Sequence, residues 1–411
     1  MREVLLHFIW QFRYYNHREL TTEAGAPLLI HYPGDPNANQ GPDFKNARIT
    51  IGDRTLEGPV ELHVRASDFL HHGHAGDPHY KNVILHVVWV NDTLVPPADI
   101  PILALIGRTP ATLLPRYRQF MTSQSFVPCA PLLLNAKAAF PADTASTPDT
   151  PFPAIPWPTL RNTLLHERLL SRTALIRTLI DENNPHWEQT LYQLIARSLG
   201  QPLNTDAFLT MAKSIPLNLL LRHRTDPGRL QSLFMTHATR LDPPLSFHRM
   251  RPAHSPSVRL RQLAALLSNH SGRFTLLLES DQPGPLLRSL DAKGLGTATR
   301  HSIVINAFIP LLYAYAAFRQ EPQLRDKALR WLHETPPENN NIIRRWRGLG
   351  MTVHTAADTQ ALLELRKNYC SEKKCLDCSI GQKLLTATQS ILSPPPPASE
   401  NLPLLPGRDG Y

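Results

Sequence analysis

The feature that most constrains the fold is a change of periodicity along the chain. Up to Val90, short runs of apolar and β-branched residues are separated by turn-forming residues, which is typical of β-strands. From Pro158 onward, apolar residues recur every three to four positions, as on the buried face of an α-helix. We therefore expect an α/β domain, with a mixed sheet flanked by helices, followed by a mostly α-helical domain.

The residues between the two patterns define the predicted domain boundaries. Proline, alanine, serine and threonine dominate residues 126–159, a composition that is typical of linkers. Two domains also suit a chain of 411 residues. We predict an α/β domain over residues 1–120, a linker over 121–159, an α-helical domain that includes a cysteine cluster over 160–387, and a disordered tail over 388–411.

Turn signals and apolar runs place the strands of the first domain. Gly52-Asp53 separates two strand-like runs, so residues 47–51 and 60–64 are expected to pair as a hairpin. Residues 83–90 are almost entirely apolar, which predicts a strand that is buried on both faces. An apolar helix is predicted before them, over residues 4–15.

Acidic and imidazole side chains are concentrated in this first region. Residues 1–96 contain eight Lys/Arg, eleven Asp/Glu and nine of the nineteen histidines; the whole chain carries +9, so the remainder carries +12. This distribution is typical of proteins in which carboxylates hold a metal while cations bind phosphates. A basic solvated surface without a nucleic-acid partner is the alternative.

A candidate metal site lies on the predicted hairpin. Period 2 places Glu61 and His63 on the same face of one strand, and the turn lets Asp43 approach that face from the neighbouring strand. Two carboxylates on adjacent strands suit a divalent cation such as Mg²⁺ or Mn²⁺, which activates water and stabilises charge on a phosphate under attack. The alternative is that Asp43 forms a turn and Glu61 faces solvent.

This arrangement resembles the catalytic hairpin of the PD-(D/E)xK nuclease superfamily. Pro42-Asp43 matches the first part of the motif, and Glu61-Leu62-His63 matches the second, with His63 in the place of lysine. The resemblance implies a nuclease-like fold in which Asp43, Glu61 and the Leu62 carbonyl bind the metal. It further implies that His63 orients or deprotonates the water, and that Glu3 is an additional acid.

Histidine in the place of lysine opens other interpretations. An imidazole is neutral for much of the time at pH 7, so His63 can instead be a metal ligand, which favours Mn²⁺ or Zn²⁺ over Mg²⁺. A zinc-dependent hydrolase of a different substrate, built on His63, His72, His74 and Asp77, is a second hypothesis. A catalytically inactive nucleic-acid-binding or scaffold protein is a third. We interpret His86, in an apolar run, as a hydrogen-bonded core imidazole.

Most of the chain also resembles a bacterial family of unknown function, DUF family 2851. The N-terminal part of that resemblance depends on the runs Gly41–Phe44, Gly58–Val64, Ser67-Asp68, His72–His74, Asp77, Tyr80 and Val83–Val88. Its later parts are Arg249–Arg259, Ile305–Pro310 and the cysteines near residue 375. The resemblance implies no function, because the family is itself uncharacterised.

The cysteines form a second candidate metal site. Cys370, Cys375 and Cys378 are spaced C-x4-C-x2-C, and Cys129 is the one other cysteine in the chain. Three clustered thiols and a distant one suit a zinc ion or an iron–sulfur cluster. Three reduced thiols at the start of a helix are the alternative. A metal there has a structural role, because it fastens the linker to the segment near residue 375.

Arginines are frequent in the middle of the chain. Residues 222–261 contain eight arginines against two acids. Arg249, Arg251 and Arg259 surround a proline-rich turn before a helix, and they are our candidates for binding the phosphates of a nucleic acid. Internal ion pairs and helix capping are the alternative.

The first residues lack the pattern of a signal peptide. The longest apolar stretch, residues 303–318, is shorter than the roughly 20 residues that span a membrane. We therefore expect a cytoplasmic protein without a membrane segment; no feature of the sequence predicts its oligomeric state.

Overall fold

The computed structural model describes residues 1–93, 99–139, 157–242, 244–247, 255–269 and 272–386. Its contacts divide these residues into two compact units: the first contains those up to 139 and those from 369 to 386, and the second contains 157–368. The expected α/β region followed by a mostly helical region is confirmed.

A sheet of six strands forms the centre of the first unit. Its strand order is β1-β3-β4-β5-β6, and β2 also pairs with β3. The strands are β1 (Leu28–Tyr32), β2 (Asp35–Pro36), β3 (Phe44–Ile51), β4 (Arg54–Arg65), β5 (Leu85–Val90) and β6 (Ile102–Ala104). The helices of this unit are α1 (Glu3–Gln11), α2 (Asp68–His71), α3 (Leu113–Thr122), α4 (Ala130–Ala139) and, much later in the chain, α18 (Ser379–Thr386).

The predicted hairpin is present between β3 and β4, but its register differs: residues 47–51 pair with residues 54–58, and Val60 pairs with Phe44. The two strands are antiparallel, and Gly52 in the turn has φ +56°, a left-handed conformation that glycine adopts without strain. By contrast, β4 pairs with β5 in parallel. Parallel neighbours require a crossover connection. This crossover consists of residues 66–84 and contains α2 and the 3₁₀ turns His74–Gly76 and Pro78–Tyr80.

Both faces of the central strands are buried. Val60 and Leu62 are inaccessible to solvent, as are Leu85, Val87 and Val88 of the neighbouring strand. Helix α1 contributes a continuous apolar surface that includes Leu5, Leu6, Ile9 and Trp10, all of them fully buried. Any polar side chain of β4 that points toward α1 is therefore removed from water.

The second unit is helical throughout its described residues. Pro216 separates α7 from α8, because its backbone is extended and proline lacks the N–H that would continue the preceding helix. The helices are α5 (Trp157–Glu182), α6 (Trp187–Leu199), α7 (Thr205–Lys213), α8 (Leu217–Arg222), α9 (Pro227–Ala238), α10 (Pro256–Ser268), α11 (Arg273–Glu279), α12 (Gly284–Ser289), α13 (Thr297–Ile303), α14 (Ile309–Arg319), α15 (Pro322–Glu334), α16 (Asn341–Gly348) and α17 (Ala356–Glu364).

The apolar stretch near residue 310 lies in a helix that is continuous from Thr297 to Arg319, because a π-helical turn, Val304–Phe308, joins α13 to α14. This helix is long and apolar enough to cross a membrane. However, 72% of its most apolar window is buried inside the second unit, as in a core helix of a soluble protein.

The observed division differs from the predicted boundaries at the cysteine-containing segment. Residues 369–386 belong to the first unit, not to the helical one. Helix α18 packs on α3, where Arg116 Nη1 donates to the carbonyls of Leu384 and Leu385 at 3.5 and 3.2 Å. Within the predicted linker, α3 ends at Thr122 and α4 is helical. Residues 140–156 of the linker, like the tail from 388, lie outside the described residues, and residues 157–159 begin α5.

Candidate metal centre

Three polar side chains of neighbouring strands share one face of the sheet, against which Phe69 of α2 packs. Glu61 on β4 pairs in register with His86 on β5, and His63 follows two residues later, so all three point to the same side. Their residues are only 3%, 1% and 1% exposed, respectively. Burial of three titratable groups side by side is costly unless they are mutually bonded or hold an ion.

The two predicted carboxylates converge. Phe44 pairs with Val60, and this register places Asp43 beside Glu61. The Asp43 N–H donates to Glu61 Oε2 at 3.1 Å, and the Leu62 N–H donates to Asp43 Oδ2 at 3.0 Å. These two backbone bonds fix both carboxylates on the same side of the hairpin, as the sequence predicts.

Helix α1 adds two more ligand groups. Glu3 and His7 are separated by one helical turn and share a face, and His7 Nε2 lies 3.4 Å from Asp43 Oδ2 and 3.9 Å from Glu3 Oε1. One ligand atom from each of these residues lies within 4.8 Å of the other two. His7 Nε2 is buried and has no well-aligned hydrogen bond. A proton on this nitrogen or a shared cation would satisfy it.

The crossover segment brings two further histidines to the same place. His63 Nε2 lies 3.1 Å from His72 Nδ1, and His74 Nε2 lies 3.4 Å from Glu61 Oε1. His63, His72 and His74 form a second group with ligand atoms within 4.8 Å. The ring of Tyr80 stacks on that of His74 with centroids 3.9 Å apart, which fixes the imidazole in place. We call this group the histidine triad, and Glu3, His7 and Asp43 the carboxylate triad.

Glu61 lies between the two triads. Its Oε2 accepts from Asp43, whereas its Oε1 is 3.4 Å from His74 Nε2 and 3.6 Å from His63 Nε2. Burial and the neighbouring Asp43 carboxylate raise the pKa of Glu61 to about 9. Among the described residues, no lysine or arginine forms an ion pair with Glu61 or Asp43. The centre therefore has buried acid groups and lacks a fixed cationic side chain.

The imidazoles of His63 and His86 are neutral. Burial lowers the pKa of His63 to about 3, with further lowering from His86, His74 and His72, and burial lowers the pKa of His86 to about 4. His63 Nδ1 lies 3.0 Å from His86 Nε2. This contact orients the ring and leaves His63 Nε2 facing the other ligands, as is usual for a metal-bound histidine and its outer partner. His86 is the buried, hydrogen-bonded imidazole that the sequence predicts.

The residues present fit a divalent metal ion. Two nitrogens bound to one ion at about 2.1 Å are about 3.0–3.4 Å apart, and the 3.1 Å between His63 Nε2 and His72 Nδ1 lies in that range. Four imidazoles and three carboxylates are a mixed nitrogen and oxygen set, which suits Mn²⁺, Fe²⁺ or Zn²⁺ better than Mg²⁺. His63 stands at the position of the lysine in the PD-(D/E)xK motif. It does not carry the charge of a lysine, because its imidazole is neutral.

An open cleft lies next to the carboxylate triad. It has a volume of about 560 Å³. Helix α1 provides one wall, with Arg2 and His7, and the loop before α18 provides another, with Lys373 and Lys374. Glu372 and Asp377 of the same loop partly offset the positive charge. Since His7 belongs to both the cleft and the carboxylate triad, the cleft leads a solute to the metal ligands.

Other residues predicted for a site lie elsewhere. Asp77 caps the 3₁₀ turn at Pro78 and accepts from the His79 ring at 2.7 Å, so it does not join the histidine triad. Arg259 is only 7% exposed, and its Nη1 donates to Gln262 Oε1 at 2.9 Å, so it is not an exposed phosphate ligand. Arg249 and Arg251 lie outside the described residues. A role for the Leu62 carbonyl stays a prediction.

His7 is the one ligand group of the two triads that the sequence analysis does not single out. Its signal is present in the sequence, since Glu3 and His7 are four residues apart on a helix. Such a pair is also common on solvated helices. What makes it significant is the docking of α1 over Asp43, which is a tertiary feature.

One family model matches the chain, over residues 3–243 and 287–341. Its description is "Protein of unknown function (DUF2851)". The chain belongs to this family. The first matched range contains every residue of both triads, Glu61 and Cys129. Neither range includes residues 249–259 or the cysteines near residue 375, so the resemblance there stays a prediction.

Membership of the DUF2851 family assigns no activity. No curated protein and no solved structure matches the chain. The resemblance to PD-(D/E)xK nucleases therefore has no support from these comparisons. Any function must be inferred from the geometry of the site.

Proposed function

We propose that this member of the DUF2851 family is a metal-dependent hydrolase of phosphodiesters, with nucleic acid as its substrate class. The observation on which the proposal depends is the convergence of the two triads on Glu61. Seven side chains from α1, the β3–β4 hairpin and the crossover meet there, and no lysine or arginine of the described residues forms an ion pair with Asp43 or Glu61. A divalent ion is the partner whose charge and ligand preference suit this set.

In this proposal the histidine triad, Asp43 and Glu61 hold the ion. A bound ion of this type lowers the pKa of water and stabilises the charge on a phosphate under attack. The His63 ring keeps one orientation because its Nδ1 contacts His86. Glu61 has a pKa near 9 without the ion, so it loses its proton when a cation binds.

His7 is the group that lies between the ligands and the cleft. Burial acts to lower its pKa, but the Asp43 and Glu3 carboxylates prevail and raise it above its usual value. A protonated imidazole at this position attracts an anion and can give a proton to a leaving group. Arg2, Lys373 and Lys374 make the cleft walls suitable for a phosphate backbone.

The second candidate is a zinc-dependent hydrolase of a substrate other than nucleic acid. The closeness of His63, His72 and His74 favours it, because zinc prefers nitrogen ligands. Asp77, which the sequence predicts as a further ligand of this zinc ion, is not part of the histidine triad. A cytoplasmic location remains part of both candidates.

Pairs of matched variants test the proposal. Purified full-length protein is stripped with a chelator and reloaded with Mn²⁺, Zn²⁺, Fe²⁺ or Mg²⁺ in separate samples. Each is assayed with bis-p-nitrophenyl phosphate, single-stranded and plasmid DNA, and RNA. We expect cleavage that is strongest with Mn²⁺, is lost in Asp43→Asn and His72→Gln, and is retained in Asp77→Asn and His71→Gln.

Each other outcome decides against a specific part of the proposal. Cleavage of the small diester without cleavage of DNA or RNA overturns the substrate class. Retention of DNA at low salt without cleavage supports a binding protein instead. Wild-type protein that binds none of the four ions in calorimetry overturns the metal centre itself.

A further inference from the structure

The four cysteines of the chain come together in the first unit. Cys129 immediately precedes α4, whereas Cys370, Cys375 and Cys378 lie in and beside the loop before α18. Burial, and after it the neighbouring Cys370, Cys378 and Cys375, raise the pKa of Cys129, so all three thiols lie near it. The chain separates Cys129 from Cys370 by the whole helical unit, and the fold nevertheless brings them together.

Helix α3 is the element that aligns the two segments. Lys373 in the cysteine loop donates from Nζ to the carbonyl of Met121, near the end of α3. Arg116, one and a half turns earlier, donates to the carbonyls of Leu384 and Leu385. Cys129 follows a short connection after α3. Polar contacts therefore hold the cysteine loop and α18 against α3, the helix that precedes Cys129.

Three of the sulfurs are buried, and backbone N–H groups point to one of them. Cys129, Cys375 and Cys378 are 6–7% exposed, and none of the four cysteines forms a disulfide. The N–H groups of Ile380 and Gly381, at the start of α18, point to the Cys378 sulfur and lower its pKa, although burial raises it overall. Such N–H···S bonds accompany metal-bound thiolates.

The loop has a backbone that depends on glycine. A Cβ at Gly381 would be 2.2 Å from the carbonyl oxygen of Cys375, so no other residue fits without displacing the backbone. Lys373 has φ +53°, which turns the chain between the first and second thiols of the loop. Both features bring Cys375 and Cys378 close to the start of α18.

We infer that Cys129, Cys370, Cys375 and Cys378 bind a metal centre through four thiolates, and that this centre holds the loop wall of the cleft beside His7. Zinc and an iron–sulfur cluster share this ligand chemistry. The sulfurs do not form a group of three within 4.8 Å among the described residues. Around a single zinc ion they would be about 3.8 Å apart, so we expect the larger iron–sulfur cluster.

The centre has a structural role. Five residues of its loop line the cleft, including Lys373 and Lys374. A metal converts four separate thiols into one cross-link and fixes both lysines in the wall.

Metal analysis of anaerobically purified full-length protein tests the inference. We expect iron and sulfide in equal amounts, with visible absorption; one zinc ion per chain would support the four-thiolate centre and decide against the cluster. Cys129→Ser and Cys375→Ser should each lose that metal. Ser371→Ala, a change of similar size in the same loop, should retain it.

The metal content of the thiolate centre can be measured independently of the proposed hydrolase activity. Asp43→Asn and His72→Gln should retain the iron or zinc of the thiolate centre even when they lose cleavage. If the cysteine variants are insoluble, thiol counting of the wild type decides instead. Four thiols should resist a thiol reagent in the native protein and react after unfolding with a chelator. A folded, metal-free wild type with reactive thiols, or a disulfide found by mass spectrometry, would overturn the inference.

Discussion

The buried carboxylates of the two units have different kinds of partner. In the helical unit, Asp358 pairs with Arg161 at 3.0 Å and Glu364 pairs with Arg168 at 3.1 Å. In the sheet unit, Glu61 and Asp43 contact imidazoles and backbone N–H groups, and no arginine or lysine in the described residues forms an ion pair with either.

The pKa shifts express the same contrast. Burial acts to raise the pKa of Asp358, but Arg161 and the N–H groups of His354 and Thr355 lower it below its usual value. Nothing comparable offsets burial at Glu61, and its pKa rises to about 9. A buried acid that pairs with its own arginine needs no further partner. A buried acid among imidazoles has no such partner in the described residues, and in our proposal a cation from outside provides one.

The largest effect is expected from breaking an ion pair of the helical unit. Arg168→Met keeps the aliphatic volume but leaves Glu364 buried without its cation, which should lower the free energy of unfolding by about 3–5 kcal/mol. Urea unfolding followed by circular dichroism measures this. Arg330→Met removes an exposed partner of Glu334 and should cost less than about 1 kcal/mol. Equal losses of unfolding free energy in the two variants would show that the buried ion pair of Glu364 matters no more than an exposed one.

The second effect concerns metal affinity in the sheet unit. His72 belongs to the histidine triad, whereas its neighbour His71 is exposed and contacts Asp68. Loss of even an outer partner of a metal ligand costs about 10- to 100-fold in affinity, so His72→Gln should lose at least that much. His71→Gln should bind Mn²⁺ or Zn²⁺ as the wild type does. Calorimetry on chelator-treated protein compares them, and equal affinities would remove His72 from the centre.

The third effect is a pH dependence of opposite sign in the two units. The lowered pKa of Asp358 adds stability that is present above its unfolded pKa and is lost as the pH falls through the folded value. The raised pKa of Glu61 adds stability to metal-free protein that is full below pH 4.5 and is lost as the pH rises toward 9.

Unfolding free energies of metal-free protein between pH 7 and 9 test this sign. Wild type should lose stability over that range by as much as about 1.4 kcal/mol per pH unit relative to Glu61→Gln. Asp358→Asn should follow the slope of the wild type there and differ from it only in acid. A parallel course of wild type and Glu61→Gln would show that Glu61 is ionised without a cation.

The smallest effect concerns the support of a single ligand. Tyr80 stacks on His74, and an aromatic pair of this kind contributes about 0.5–1.5 kcal/mol. Tyr80→Ala should therefore weaken metal binding about 2- to 10-fold, since His74 loses its fixed orientation. Tyr80→Phe keeps the stacked ring and should bind as tightly as the wild type. An equal loss in both variants would assign the effect to the hydroxyl instead.

Local rules predict the hairpin part of the site and do not predict the rest. Gly52-Asp53 and period-2 alternation suffice to bring Asp43, Glu61 and His63 together, because hairpin pairing is a short-range property of the chain. His72 and His74 reach the same place through a crossover. Its path depends on β5 being the parallel neighbour of β4, and no local pattern in residues 66–84 specifies that pairing.

The same limit explains the domain boundary. Sequence composition marks a linker near residue 140, and from there the simplest prediction is that all later residues join the helical domain. The return of residues 369–386 to the first unit depends on contacts such as those of Arg116 with α18. Contacts over such sequence separations leave no periodic signal.

That return has a consequence for biosynthesis. Residues 1–139 leave the ribosome before residues 140–368 are translated, and at about 5–20 residues per second this interval lasts roughly 10 to 50 s. During that time the nascent sheet exists without α18 and without one wall of its cleft. In a newly made chain all six strands are thus synthesised well before Lys373 and Lys374. The cleft beside His7 is therefore completed last.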